Sequence, residues 1–297
     1  MRPRFVPPKV IRELRNLTRY RKAQIKERSR KVQRLDKILQ DAGIKLSSEA
    51  TDLQGKSCRA ILNALVEGER NPDTLATLSL GRMRKKIPEL KESLVARFGQ
   101  HHALLVKTIL SKIDFMDQTI AELSGQIDAM IAPFTHEVEL LCTIPGVDRR
   151  SAQGLIAEIG VDMGRFSTSG HLASWAGMCP GNYESGGKRS SGKTSKGPKW
   201  LGVHLCEVPS APGRSKGTYL GAQHHRLTGR IGYQKANKAV AHSILVAIWN
   251  MLSNDVAYDD LGEDWFQKRR PEAHARRLVK QIESLGYSVT IAPSQAA

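Results

Sequence analysis

No stretch of the 297 residues approaches the roughly eighteen consecutive apolar residues that a membrane helix needs, and the basic start, MRPRFVPPKVIREL, has no apolar core of the kind a signal peptide carries. These two absences predict a cytoplasmic protein with no membrane partner. Cysteine is sparse: Cys58, Cys142, Cys179 and Cys206 stand far apart, with no Cys-x-x-Cys pair and no histidines at zinc-finger spacing. That excludes a disulfide framework and predicts no metal site, leaving reduced, individually placed thiols. Aromatics make up only 5% of the chain, and all four tryptophans follow residue 174, so the better-packed core is expected C-terminally. Acid is also in short supply. Asp and Glu number 29 against 46 Lys and Arg, a formal charge of +17 with a pI near 9.9. A polyanion is the natural partner for such a surface, nucleic acid first, which would make the protein nucleoid-associated.

Helical periodicity dominates what is present. From Lys9 to Lys37 twelve basic residues face three acids, and Ile11, Leu14, Ile25, Val32, Leu35 and Leu39 fall on a heptad seam that Thr18, Arg21 and Arg28 interrupt. A seam so interrupted needs a partner helix. His102 to Ile131 supplies one, with Leu105, Ile109, Ile113, Met116, Ile120, Leu123, Ile127 and Met130 at steps of three and four. The expected fold is therefore mainly α: a long antiparallel helical hairpin with coiled-coil character over residues 1–131, containing shorter helices between about 48 and 100. A compact helical domain over 137–252 follows, then a C-terminal helix and tail over 253–297. YSVTIAP, near the end, is read as irregular.

Two segments of the second domain point to phosphate chemistry. In LLCTIPGVDRRSAQGLIAEIG a helix end meets Ile-Pro-Gly-Val and a second helix opens at Asp148, the pattern of a helix-hairpin-helix. Amides exposed at Gly146, with Arg149 and Arg150 beside them, could hold a backbone phosphate without reading sequence; an ordinary turn capped by Asp148 is the plainer alternative. PGNYESGGKRSSGKTSKGPKW then packs five glycines and five basic residues, Lys188, Arg189, Lys193, Lys196 and Lys199, around one acid. Its composition suits a phosphate-binding loop. Ser185 lies just before Lys188 and Arg189, but serines in Gly-rich loops are usually turn residues, and spacing alone assigns it no chemistry.

TIPGVDRRSA, HLASWAGMCPGN, ESGGKRSSGKTSKGPKWL and KGTYLGAQHHRL…AVAHSILV, taken in order, resemble the C-terminal domain of the insertion-sequence-110 group of transposases. FVPPKVIRELRNLTRYRK and DAGIKLSS resemble the helical region that precedes it in that group. The resemblance implies a DNA-binding recombinase that carries out DNA transposition for a mobile element by serine attack on the DNA backbone, with Ser185 at the nucleophile's position. It further implies a guide RNA encoded by the element, assembly as a homo-oligomer, and a ribonuclease-H-like N-terminal domain whose Asp-Glu-Asp-Asp set binds a divalent metal, Mg.

Residues 1–130 have no strands on which to place such a set, so no cofactor is expected in this chain, and it reads as a copy shortened at its N-terminus with impaired activity. LCEVPSAPGRSKG also departs from the group's Ala-rich helix, because Pro209, Pro212 and Gly213 would break it. Two other readings stay open: a non-catalytic nucleic-acid-binding protein derived from a transposase, in which Ser185 is idle, and a helical assembly element.

Overall fold

The computed structural model describes residues 7–181, 183–191, 194–208, 217–269 and 271–290; the side chains of 183, 184 and 189–191 are outside the description. The chain is mainly α-helical and divides into two units. Asn16–Met130 forms one, and the residues up to Arg15 together with those from Ile131 onward form the other. Among the described residues no helix is long and apolar enough to cross a membrane.

In the Asn16–Met130 unit the long helices α1 (Lys9–Asp41) and α6 (Gln100–Ile131) run antiparallel. Asp41 of α1 meets the His102 ring of α6 at 3.3 Å, while Arg28 further back on α1 makes a two-pronged pair with Asp117 further along α6. The polar seam residues are thus accommodated rather than excluded: Thr18 and Arg21 are buried, and Arg28 reaches a carboxylate. α1 stops where Gly43 takes a positive φ of 90°. Four short helices fill the space before α6: α2 (Leu46–Glu49), α3 (Lys56–Glu67), α4 (Pro72–Thr77) and α5 (Ile87–Ser93). They bury Leu46, Ile61, Leu62, Leu65, Leu75 and Leu90 against Leu35, Leu39, Val106 and Ile113. Each fully buried leucine contributes roughly 1.5–3 kcal/mol. The inward register of α6 differs from the sequence expectation at its start. Val106 is buried and Leu105 is about half exposed, because the seam there runs Val106, Ile109, Ile113.

In the other unit α12 (Tyr233–Asn254) is the central helix, buried through Ala236, Val240, Ile244, Leu245, Ile248 and Met251. Around it pack α7 (Thr135–Cys142), α9 (Ser169–Trp175), α10 (Lys199–Glu207) and α11 (Tyr219–Ile231). α8 (Arg149–Ile159) packs on α7 and α10 and is buried from Ala152 onward. Gly154 of α8 lies under the His204 ring of α10, so close that a β-carbon there would stand 2.3 Å from the ring. Arg15 closes the other end of α8. It donates to the carbonyls of Ala157 (3.0 Å) and Glu158 (2.8 Å) and lies 3.8 Å from the buried Glu158 carboxylate. Carbonyls that a helix end leaves without partners are thereby satisfied. The Trp249 indole donates to the Phe166 carbonyl at 2.9 Å, tying α12 to the segment that leads into α9. The short helix α13 (Trp265–Lys268) precedes the last helix, α14 (Pro271–Glu283), which is exposed.

Candidate nucleic-acid interface and serine hairpin

The glycine- and lysine-rich segment, expected as a loop, folds as a β-hairpin. Strand β1 (Tyr183–Ser185) pairs antiparallel with β2 (Lys188–Ser191), and a bridge between Pro180 and Thr194 marks the root. The two residues between the strands, Gly186 and Gly187, have φ of 57° and 74°. Two successive positive φ angles are what a type I′ turn demands, and its twist matches that of paired strands, so Gly-Gly selects a tight hairpin over a loop. The sequence reading missed this because so polar a segment shows no alternating apolar pattern. Ser185 closes the turn opposite Lys188, with Glu184 opposite Arg189, and the ladder shifts by one residue at Tyr183. Ser185 and Lys188 are both exposed. Directly opposed residues project from one face of a ribbon, so the serine hydroxyl and the lysine ammonium share a side. Among the described residues no base lies within hydrogen-bonding distance of the Ser185 hydroxyl. Lys193, Pro209 and Pro212 lie outside the described residues.

The hairpin root is held by backbone packing and by one lysine. Gly177, just past α9, and Gly197, on the returning segment, lie backbone to backbone; a β-carbon on Gly177 would come within 2.5 Å of the Gly197 nitrogen. Lys238 of α12 donates from Nζ to Thr194 Oγ1 at 2.7 Å. Sequence reasoning did not single out Lys238; its signal was a basic residue in the first turns of an otherwise apolar helix. Lys196 and Lys199, expected at a phosphate site, are exposed here and line an open groove of about 690 Å³ with Lys238, Thr194 and Glu207.

The Ile-Pro-Gly-Val turn connects α7 and α8, which pack on each other. Ile144 and Val147 are buried, whereas Gly146, with φ of 87°, is exposed alongside Arg149 and Arg150. Asp148 is the N-cap of α8, its carboxylate accepting from the Ser151 amide at 2.8 Å. Burial works against that carboxylate, but hydrogen bonds from Ser151 and the charge of Arg150 outweigh it and hold its pKa below the usual carboxylate range. The Cys142 thiol beside it is pushed up, by burial first and by Asp148 second. The turn lines its own recess of about 500 Å³. Glu207, in the last turn of α10, lines both this recess and the groove at the hairpin root, so Gly146, Lys196 and Lys199 border neighbouring surfaces. Among the described residues no group of three or more His, Cys, Asp or Glu side chains is placed to hold a metal ion.

Residues 138–212 match the Transposase IS116/IS110/IS902 family. The matched segment takes in the turn, α8, α9, the serine hairpin and α10. A pilin gene-inverting protein of Moraxella bovis is 37% identical over 71 residues, which are 23% of this chain and 22% of that protein. The similarity therefore covers about a fifth of the relative's length. The matched segment is the part of the chain that holds Ser185 and every residue that the sequence singled out for phosphate contact.

Proposed function

We propose that the chain is a DNA-binding recombinase of the transposase type, in which Ser185 attacks a backbone phosphate. The observation that carries this reading is the display of Ser185 beside Lys188 at a glycine-built turn, inside the segment that matches a transposase family. In the proposed step Ser185 Oγ forms a P–O bond and the bond from phosphorus to one strand's oxygen breaks. The DNA end stays on the enzyme as a phosphoserine ester while the other end leaves as a hydroxyl. Lys188 and Arg189 would offset charge on the phosphoryl oxygens. The hydroxyl proton passes to a base, and the departing oxygen takes up a proton as it leaves. A divalent metal, a guide RNA and a homo-oligomeric assembly belong to this proposal through the resemblance. The described residues offer the metal no ligand set, so the acidic metal-binding part would come from outside them.

The test is the appearance of a DNA–protein adduct on denaturing gels with element-end DNA, lost in Ser185→Ala. A second reading, DNA binding without catalysis, is favoured by the exposed basic residues Arg149, Arg150, Lys196 and Lys199, which can grip phosphates whether or not Ser185 reacts. It predicts salt-sensitive binding with no adduct under any condition.

A further inference from the structure

The groove at the root of the serine hairpin has the features of a site rather than a crevice. Its floor is backbone packed on backbone at Gly177 and Gly197, where no side chain fits, so its shape is fixed before any ligand arrives. One wall is the returning segment from Thr194 to Lys199, another the face of α10 carrying Gly202, Val203 and Cys206, and Lys238 projects from α12. Three ammonium groups, Lys196, Lys199 and Lys238, face one carboxylate, Glu207. An open groove rimmed by three ammonium groups suits a strand of linked phosphates better than a small apolar molecule.

Lys238 gives the groove its link to the chemistry. An ammonium carries three protons. One is committed to Thr194, the residue that pairs with Pro180 at the hairpin root, and Lys238 also lines the groove. The same side chain can therefore fix the hairpin against α12 and hold a ligand. The groove borders the root of the hairpin whose strand β1 ends in Ser185, so a ligand held there lies on the serine's own hairpin.

We propose that this groove binds a DNA backbone phosphate on the same duplex that is offered to Ser185, with Lys238 as its central contact. The inference rests on the DNA-recombinase reading and adds the place where the DNA is held. Binding of the full chain to a labelled duplex, measured over a range of salt, tests it. Lys238→Ala should bind more weakly and flatten the plot of log K against log salt by about 0.9 for the lost phosphate contact. The paired change Lys196→Ala with Lys199→Ala should flatten it further, while Lys238→Arg should keep the wild-type slope. Lys235→Ala, on the same helix but outside the groove, should leave the slope in place; circular dichroism establishes that each variant is folded. Unchanged slopes in folded Lys238→Ala and in the paired variant would overturn the groove, as would an equal loss in Lys235→Ala. A wild-type chain with no salt-sensitive DNA binding would overturn the DNA reading itself, a separate result.

Discussion

The backbone of Gly197 presses on the end of α9 so closely that a β-carbon at 197 would stand 2.0 Å from the Ala176 carbonyl oxygen. The contact joins the root of the serine hairpin to a helix of the core, and neither backbone can yield as a flexible side chain would. Gly197→Ala should destabilise the protein by about 1–3 kcal/mol, the usual cost of forcing atoms into a packed site. Gly202→Ala is the control. It sits inside α10 with nothing within 4 Å of the added carbon, and should be neutral or more stable by about 0.4–1 kcal/mol. Urea unfolding of the two variants beside wild type measures both.

The turn at the hairpin tip makes a different demand, on conformation rather than space. Gly186→Ala or Gly187→Ala places a side chain at positive φ, at a cost of about 1–2 kcal/mol each, and this should open the hairpin without unfolding the core. Gly186→Asn should be tolerated, because Asn-Gly suits the same turn. Hydrogen exchange of the amides over 183–191 reads this directly: faster in the alanine variants, near wild type in Gly186→Asn.

At the start of α8, Asp148→Ala should cost about 0.5–2 kcal/mol through loss of the N-cap. The pH dependence has a definite sign. The folded-state pKa of Asp148 is depressed, so its contribution is present above the unfolded carboxylate pKa and is lost as pH falls through the folded value. Asp148→Asn keeps a capping oxygen and removes the charge, and should therefore flatten the acid limb of the stability profile. If Gly146 and its neighbours hold a phosphate, the same change should also tighten DNA binding by removing a like charge, while Gly146→Val should weaken it. Unchanged affinity in both folded variants would leave the turn a structural cap.

Arg15 and Glu158 test the closure of α8. Arg15→Ala removes one charge facing a carboxylate that is 1% exposed, together with bonds to two carbonyls, so a loss of about 1–3 kcal/mol is expected by thermal or chemical unfolding. A loss below about 1 kcal/mol would show that Glu158 is satisfied without it.

Much of the helical framework was legible because it is written in period and punctuation. Gly43 and Gly68 end helices, Pro271 opens one, and the apolar stripe from Ala236 appears as α12. Leu105 was misplaced by one position, an error that a short window allows when Leu104, Leu105 and Val106 are consecutive. The hairpin was harder to see. Its strands are three and four residues long and polar, so their only signal was the Gly-Gly pair, which serves a flexible loop equally well. Lys238 was hidden for another reason: its role depends on Thr194, 44 residues earlier, and no local pattern encodes such a contact.

The most direct measurement is denaturing-gel detection of a covalent DNA adduct on supercoiled element-end DNA. It would use the chain alone, the chain supplemented with a metal-binding ribonuclease-H-like domain and guide RNA, and Ser185→Ala in both settings. The account predicts little or no adduct from the chain alone, a clear adduct in the supplemented reaction, and none from Ser185→Ala. Robust strand transfer by the chain alone would contradict the need for a supplied metal-binding part. An adduct that persists in Ser185→Ala would contradict the central claim and pass the nucleophile to Ser190, Ser191 or Ser195.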